Sequence, residues 1–552
     1  MMKDYDESIR FLGQWGRFQR VIFFLLCTTT IPNGFGTFTL VFLADTPEHR
    51  CRIPEVNLTD EWRGAIIPEL VGEGTPKRSS CSRYRLDVVR NLSAQGLGPG
   101  DVNLTSLEQE RCKDGFFYST DIYTSTIVSE FDLVCENKWK QPLTNTLFLL
   151  GILVGSFFSG QLSDRFGRKP VLFATVALQT ISTFLKIFSV SWAMFTVVLF
   201  INGLGQMSNY VSALVLGSEI LTGNVRILYS SLGTCFGFAL GYILLPLVAY
   251  FTRSWKSLLI ALTIPGLFSF PLWWFIPESP RYLLSRGKVE EAEAIVRKAA
   301  RWNNVSAPGV IFTDYTVSQT KEAQLQEQFR AVDLLRHRAF RLTSSLLFLV
   351  AFTLIASYYG LCFNTANLHA DPYISCLISA VVEIPAYIMA WLGMLYLPRR
   401  LSMFGSLVLG ALPLFFIQLV PEEWPAVAIT LEMVGKLFIT ASSCMLFAYS
   451  AELYPTSLRN TATGACNSVA RVGSCITPFL FELRHVDKFL PYIILGTLSM
   501  VSAAATLFLP ETYGRPLPDT VEQMARRKSI NFPCRRTKTH RSHAPPNWTT
   551  AA

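Results

Sequence analysis

The chain has 552 residues, of which 50% are hydrophobic and only 16% charged, with a net charge of +9 and a mean hydropathy of +0.32. Soluble proteins carry about 25% charged residues, so the composition disfavours a soluble multidomain enzyme and excludes a disordered chain, a collagen-like chain and a small disulfide scaffold. The apolar residues gather in blocks of about 20, the length a helix needs to cross a bilayer core.

Twelve blocks are predicted as spans, at 21–43, 142–162, 171–190, 192–216, 227–249, 256–276, 342–362, 373–397, 401–420, 425–450, 463–482 and 489–509. Pro32 and Gly34 interrupt the first, which a membrane bundle tolerates because neighbouring helices satisfy the freed backbone groups. The first block is too long for a signal-peptide core and no small-residue cleavage site follows it, so it reads as a retained signal-anchor after a cytoplasmic segment, 1–20. Residues 44–141 form a loop expected outside, with four cysteines, Cys51, Cys81, Cys112 and Cys135, and three Asn-Leu-Thr/Ser sequons at Asn57, Asn91 and Asn103. An even cysteine count in an oxidising compartment implies two disulfides, with three pairings open, and the sequons are expected to carry glycans. Residues 277–341 form a cytoplasmic linker in which Val289 to Ala300 reads as an amphipathic helix, acidic early and basic late. The second six spans occupy 342–509 and a cytoplasmic tail 510–552.

Short loops decide topology. Arg165, Arg168 and Lys169 after the second block, Arg399 and Arg400 after the eighth, and the basic tail from Arg526 to Arg541 fall on one side. The positive charge is therefore a topology signal, and no nucleic-acid partner is expected. On this topology the sequons at Asn304 and Asn547 lie in the cytoplasm and stay empty.

The two halves repeat. Glu219 maps to Glu452, Arg226 to Arg459, Pro277 to Pro510 and Glu278 to Glu511 at one constant offset, and loop 163–170 maps onto the weaker LPRR at 397–400. Six spans plus six spans in the same orientation is the transporter pattern of two halves rocking about a central site. Asp164, Arg165, Arg168, Glu219, Arg226, Glu278, Arg281, Glu452 and Arg459 are accordingly candidate gate residues, with carboxylate–guanidinium pairs biasing the two states.

These residues carry a resemblance. GQLSDRFGRK at 160–169 and PESPR at 277–281 resemble signatures of the major facilitator superfamily. The long first loop, with MMKDYDESIRFLGQWGRFQRVIFFLL, IPNGF, TPEHRC, CFNTANLHAD and FLPYI, resembles the organic cation/carnitine transporter subgroup over residues 1 to about 525. The resemblance implies an all-α membrane protein with 12 transmembrane helices. It also implies a sodium-coupled plasma-membrane carrier of carnitine-like zwitterions, or of the ergothioneine and tetraethylammonium-like cations that the subgroup's members divide with carnitine. No cofactor is implied beyond co-transported Na⁺, and partners are the small-molecule substrate and the lipid bilayer.

Candidate site residues follow. Arg471 lies near the middle of the eleventh block. Its guanidinium stays charged and its fork suits a carboxylate. A quaternary ammonium has no N–H to donate and is held by aromatic faces, for which Tyr210, Tyr358, Tyr359, Phe447 and Tyr449 are candidates, with Asn209 as a hydrogen-bonding neighbour. Phe447 and Tyr449 are two apart on one helix and cannot both face the cavity squarely. Asn33, Gln179 and Gln206 match positions that the resemblance ties to sodium. Glu432 and Lys436, one turn apart, are expected to neutralise each other; Glu432 stands where the subgroup pattern is apolar, and Glu383 is a further intramembrane acid that would partner Lys436 or take a proton or cation. GSEILTGN at 217–224 lacks the Gly-Lys pair of the subgroup's P-loop-like stretch, so no nucleotide site is expected. No metalloprotease or serine-hydrolase motif is present, which argues against an enzyme.

Overall fold

The computed structural model describes residues 5–54, 58–70, 77–312, 338–364, 371–421, 423–454 and 456–513. Twelve long helices, numbered in chain order, correspond to the twelve apolar blocks. They are α1 (Arg17–Phe38, continued by Leu40–Leu43), α2 (Lys140–Phe166), α3 (Arg168–Lys186), α4 (Trp192–Ile220), α5 (Thr234–Thr252) and α6 (Trp255–Ser269) in the first half. The second half has α7 (Arg338–Phe363), α8 (Pro372–Val381 and Glu383–Tyr396), α9 (Arg399–Phe416), α10 (Pro425–Leu453), α11 (Thr456–Glu482) and α12 (Leu490–Leu507). α8 breaks at Val382 because Pro385 has no N–H for the Val381 carbonyl.

Among the described residues, nine helices are long and apolar enough to cross a membrane. The other three are α3, α4 and α11, whose apolar stretches are diluted by Gln179, by Asn202, Gln206 and Asn209, and by Asn467 and Arg471.

Small residues set the packing within each half. A Cβ on Gly34 would strike the Phe238 carbonyl, and one on Gly241 the Ile31 carbonyl, so α1 and α5 cross at backbone contact. The repeat reproduces this between α7 and α11, where Gly473 lies against the Phe352 carbonyl. The two halves meet through the contacts Phe42–Tyr373 (stacked, 5.4 Å), Tyr242 Oη–Ser379 Oγ (3.1 Å) and Thr146 Oγ1 to the Cys475 carbonyl (3.0 Å). These lie at mid-span or toward the end that bears the long loop, called the loop end here; the opposite, linker end carries helices Pro280–Ser285 and Val289–Trp302. The latter is the amphipathic helix read from the sequence, two residues longer. It buries Ala292, Val296, Ala299 and Ala300 against a cluster with Tyr5, Ile9, Leu12 and Phe18.

The long loop is a small folded unit. Its disulfides are Cys51–Cys112 and Cys81–Cys135, which selects one of the three pairings. Three two-stranded antiparallel ladders, His49–Cys51 with Phe116–Tyr118, Glu69–Leu70 with Lys77–Arg78, and Ser82–Tyr84 with Gln109–Arg111, surround a core of Leu58, Trp62, Ile66, Ile67, Tyr84 and Val89. The Arg83 guanidinium is buried and bonds Glu110 (3.1 Å) and Asp114 (2.6 Å). Asn91 and Asn103 are exposed; Asn57 lies outside the described residues.

Candidate functional site: a central polar cluster between two charge clamps

Arg471 projects from α11 toward α7. Its Nη1 donates to the Tyr359 hydroxyl at 2.6 Å, and the guanidinium carbon lies 5.8 Å from the Tyr359 ring centre. Its Nε is buried and has no hydrogen-bond partner among the described residues. Tyr358 and Tyr359 belong to an aromatic assembly with Phe38, Tyr242 and Phe363; Phe38 lies 4.2 Å from Tyr242 and 6.3 Å from Tyr359, centre to centre. Tyr210 on α4 lies within electrostatic reach of Arg471, Cys235 and Cys444. Phe447, half-buried, packs against the large apolar core that holds Tyr358 and Tyr359, and Tyr449 is buried in that core as well. Its hydroxyl donates to the Pro510 carbonyl at 2.5 Å, at the linker end, because a two-residue step on a helix turns the side chain to the other face.

The first half contributes a row of amides. Gln179 Nε2 donates to the Pro32 carbonyl (3.2 Å), and Gln206 Nε2 to the Asn33 carbonyl (2.9 Å) and to the Thr37 hydroxyl. Asn209 Nδ2 lies 3.3 Å from both Asn33 Oδ1 and Gln179 Oε1. All four side chains are buried. The carbonyl oxygens Gln206 Oε1 and Asn209 Oδ1 have no partner among the described residues, although buried acceptors are normally satisfied.

The second half holds buried charge. Lys436 and Glu383 are both fully buried and lie 3.4 Å apart. Lys436 also donates to the Ser379 carbonyl (2.7 Å) and stands 4.8 Å from the Tyr242 ring centre. Glu383 accepts from the Tyr358 hydroxyl (2.9 Å) and from Tyr387. The expected neutralisation of Glu432 by Lys436 is thus corrected: Lys436 turns to Glu383 on α8, and Glu432 accepts from Asn364 and Tyr492.

At the linker end, two charge clamps repeat. In the first half Arg168 pairs with Glu219 (3.0 Å) and Asp164 (2.5 Å), while Glu278 accepts from the Arg168 and Lys169 backbone amides (3.1 Å each). Burial pushes the Glu278 carboxyl above its ordinary range, against the pull of the Ser279, Lys169 and Arg168 amides. In the second half Arg399 pairs with Glu452 (3.1 Å), and Glu511 accepts from the Arg399 and Arg400 amides (2.9 and 3.0 Å). Each guanidinium also lies 5.5 Å from a tyrosine ring, Tyr282 or Tyr513. Every pair named here lies within one half. Three further gate candidates have the following contacts. Arg226 Nε donates to the Leu221 carbonyl (2.9 Å), Arg165 is exposed over the Phe166 ring, and Arg281 lies over the Tyr5 ring of the N-terminal segment. The Arg459 side chain lies outside the described residues. Arg399 and Glu511 belong to the second clamp although the sequence reading used them only for topology and repeat matching; carrying Glu278 across the repeat finds Glu511, whereas Arg399 lies two residues short of the position that matches Arg168.

A family model, sugar (and other) transporter, matches residues 112–524. The chain is 50% identical to organic cation/carnitine transporter 2 of Homo sapiens over 541 residues, 98% of this chain and 97% of that protein. It is also 50% identical to solute carrier family 22 member 4 of Mus musculus over 540 residues, with the same coverage. Among solved structures, the inward open E. coli xylose transporter shares the fold at a TM-score of 0.59 and 16% identity, covering 92% of this chain and 99% of that one. The chain therefore belongs to the organic cation/carnitine transporter branch of the major facilitator superfamily, a multi-pass membrane transporter and not an enzyme.

Proposed function

We propose that the protein is a sodium-coupled secondary transporter that imports carnitine-like zwitterions across the plasma membrane by alternating access, with both termini in the cytoplasm and the glycosylated loop outside. The observation that carries this reading is Arg471. Its guanidinium faces the aromatic assembly, its Nε has no partner among the described residues, and the buried acid Glu383 is taken by Lys436. Among the described residues no acid pairs with Arg471, so its guanidinium is open to a carboxylate, with the faces of Tyr358, Tyr359 and Tyr210 nearby for a quaternary ammonium. A carrier built for simple cations needs the opposite charge.

The unpaired oxygens of Gln206 and Asn209, with Asn33 and Gln179 beside them, suit a monovalent hard cation as the co-transported substrate. No acid joins this set, which keeps the ion weakly held and releasable. The clamps at Arg168 and Arg399 hold each half as a rigid unit, so rocking occurs between the halves. The human relative named above as organic cation/carnitine transporter 2 supports the substrate class.

Competition tests it. Uptake of labelled carnitine should be blocked by unlabelled carnitine and only weakly by its methyl ester, which keeps the ammonium and loses the carboxylate charge. Equal competition by the ester contradicts a role for Arg471 in holding the carboxylate.

A further inference from the structure

Glu432 has no part in the transport reading above. It sits in the second turn of α10 near the loop end, with no exposed surface. Oε1 accepts from Asn364 Nδ2 at 3.0 Å and Oε2 from the Tyr492 hydroxyl at 2.8 Å. Both donors are neutral, and no lysine or arginine forms an ion pair with it among the described residues. A carboxylate buried without a contacting cation carries a desolvation cost that two neutral hydrogen bonds only partly offset.

The surrounding groups form a route to the loop end. Arg484, half-buried just beyond α11, donates to Asn364 Oδ1 at 3.1 Å, and Asn364 Nδ2 also donates to the Tyr492 oxygen at 2.6 Å. The titratable groups facing Glu432 are Tyr492 from α12, Arg484 from the turn after α11 and Lys436 one turn along α10. Beyond Lys436 on α8 stands Glu383. The stretch of α9 packed against α10, Leu407 to Ile417, contains no titratable residue, and α7 contributes the amide of Asn364.

We propose that Glu432 is a reversible proton-binding site, reached from the loop end through Arg484 and Asn364, that makes transport respond to pH on that side. The carboxylate takes one proton on Oε2. That proton then donates to the Tyr492 oxygen, and Tyr492 must turn its own hydroxyl proton away. The α10–α12 contact is the one that changes. Loss of the negative charge leaves the row Arg484, Glu432, Lys436, Glu383 one unit more positive, which strengthens the hold of the central site on a carboxylate. Binding one proton with the substrate shifts the apparent affinity by at most about tenfold per pH unit.

Two measurements on the full-length protein test it. Infrared difference spectra of the purified protein, titrated from about pH 5 to about pH 8, should show a buried protonated-carboxyl band. That band should vanish in Glu432→Gln and shift in Glu432→Asp. KM for labelled carnitine should fall as external pH falls in the wild type, and should stay low and nearly flat with pH in Glu432→Gln. An infrared band unchanged in Glu432→Gln, or unshifted in Glu432→Asp should the glutamine variant fail to fold, overturns the proposal. So does a wild-type spectrum with no such band. The infrared readout is independent of the ligand that Arg471 holds, so a protein that ignores carnitine still decides the question.

Discussion

Arg471 is the side chain on which the ligand assignment turns. A hydrogen bond to a charged group contributes about 1.5–3 kcal/mol, so Arg471→Gln should weaken carnitine affinity roughly 10- to 100-fold at unchanged surface abundance. Arg471→Lys keeps the charge and loses the fork, and should recover only part of it. Unaltered KM in both variants removes the guanidinium from the ligand site. The amides give a separable effect. If the proposed ion site is right, Gln206→Leu should raise the Na⁺ concentration for half-maximal uptake about tenfold or more and leave any sodium-free uptake unchanged, because it removes an oxygen proposed to hold the ion. At this scale the sequence was legible where a residue was costly in its setting. A lone arginine in an apolar block, or a glutamine in a span, declares itself. Partner choice was not legible: Lys436 is one turn from Glu432 in the chain but reaches Glu383 on another helix, and Tyr449 spends its hydroxyl on Pro510.

At the scale of elements, the linker-end clamps and the folded loop carry the predictions. Arg399→Glu places two acids together against Glu452 and should lower transport strongly; adding Glu452→Arg should restore part of it. A double-mutant cycle on uptake measures the coupling, about 1–3 kcal/mol, and additive losses would show that the pair does not interact. In the loop, Arg83→Ala removes one of the two cations on Glu110 and the partner of Asp114, leaving Lys113 on Glu110 at 3.0 Å; the lost charge-assisted hydrogen bonds cost about 1.5–3 kcal/mol and should be read as faster proteolysis of the loop at neutral pH. Burial raises the Glu110 carboxyl, but Lys113, the Leu86 amide and Arg83 outweigh it and hold it below its ordinary range. Its stabilisation is therefore present at and above neutral pH and is lost as the pH drops below the usual glutamate range toward its own lower value. Limited proteolysis of the loop against pH checks the sign. The repeat made half of the clamp legible. The rest was hidden because Arg399 sits two residues off the constant offset, so simple alignment passes it by.

For the whole molecule, the twelve-span architecture was readable because block length is set by bilayer thickness and not by packing. The loop's disulfide pairing was not, since four cysteines are compatible with three connectivities until their strands pair. The two halves touch through Phe42 and Tyr373 at the loop end. A Phe42→Cys/Tyr373→Cys pair bridged by a short bifunctional thiol cross-linker should therefore form without substrate and arrest uptake; a bridge that forms without effect on uptake contradicts a closing contact there. The central claim, that transport of a zwitterion is driven by sodium, has one direct measurement: uptake of labelled carnitine into cells expressing the chain, with Na⁺ present and then replaced by N-methylglucamine. The account predicts saturable uptake that collapses without Na⁺. Carnitine uptake that persists undiminished without Na⁺, or none in either buffer, would contradict it.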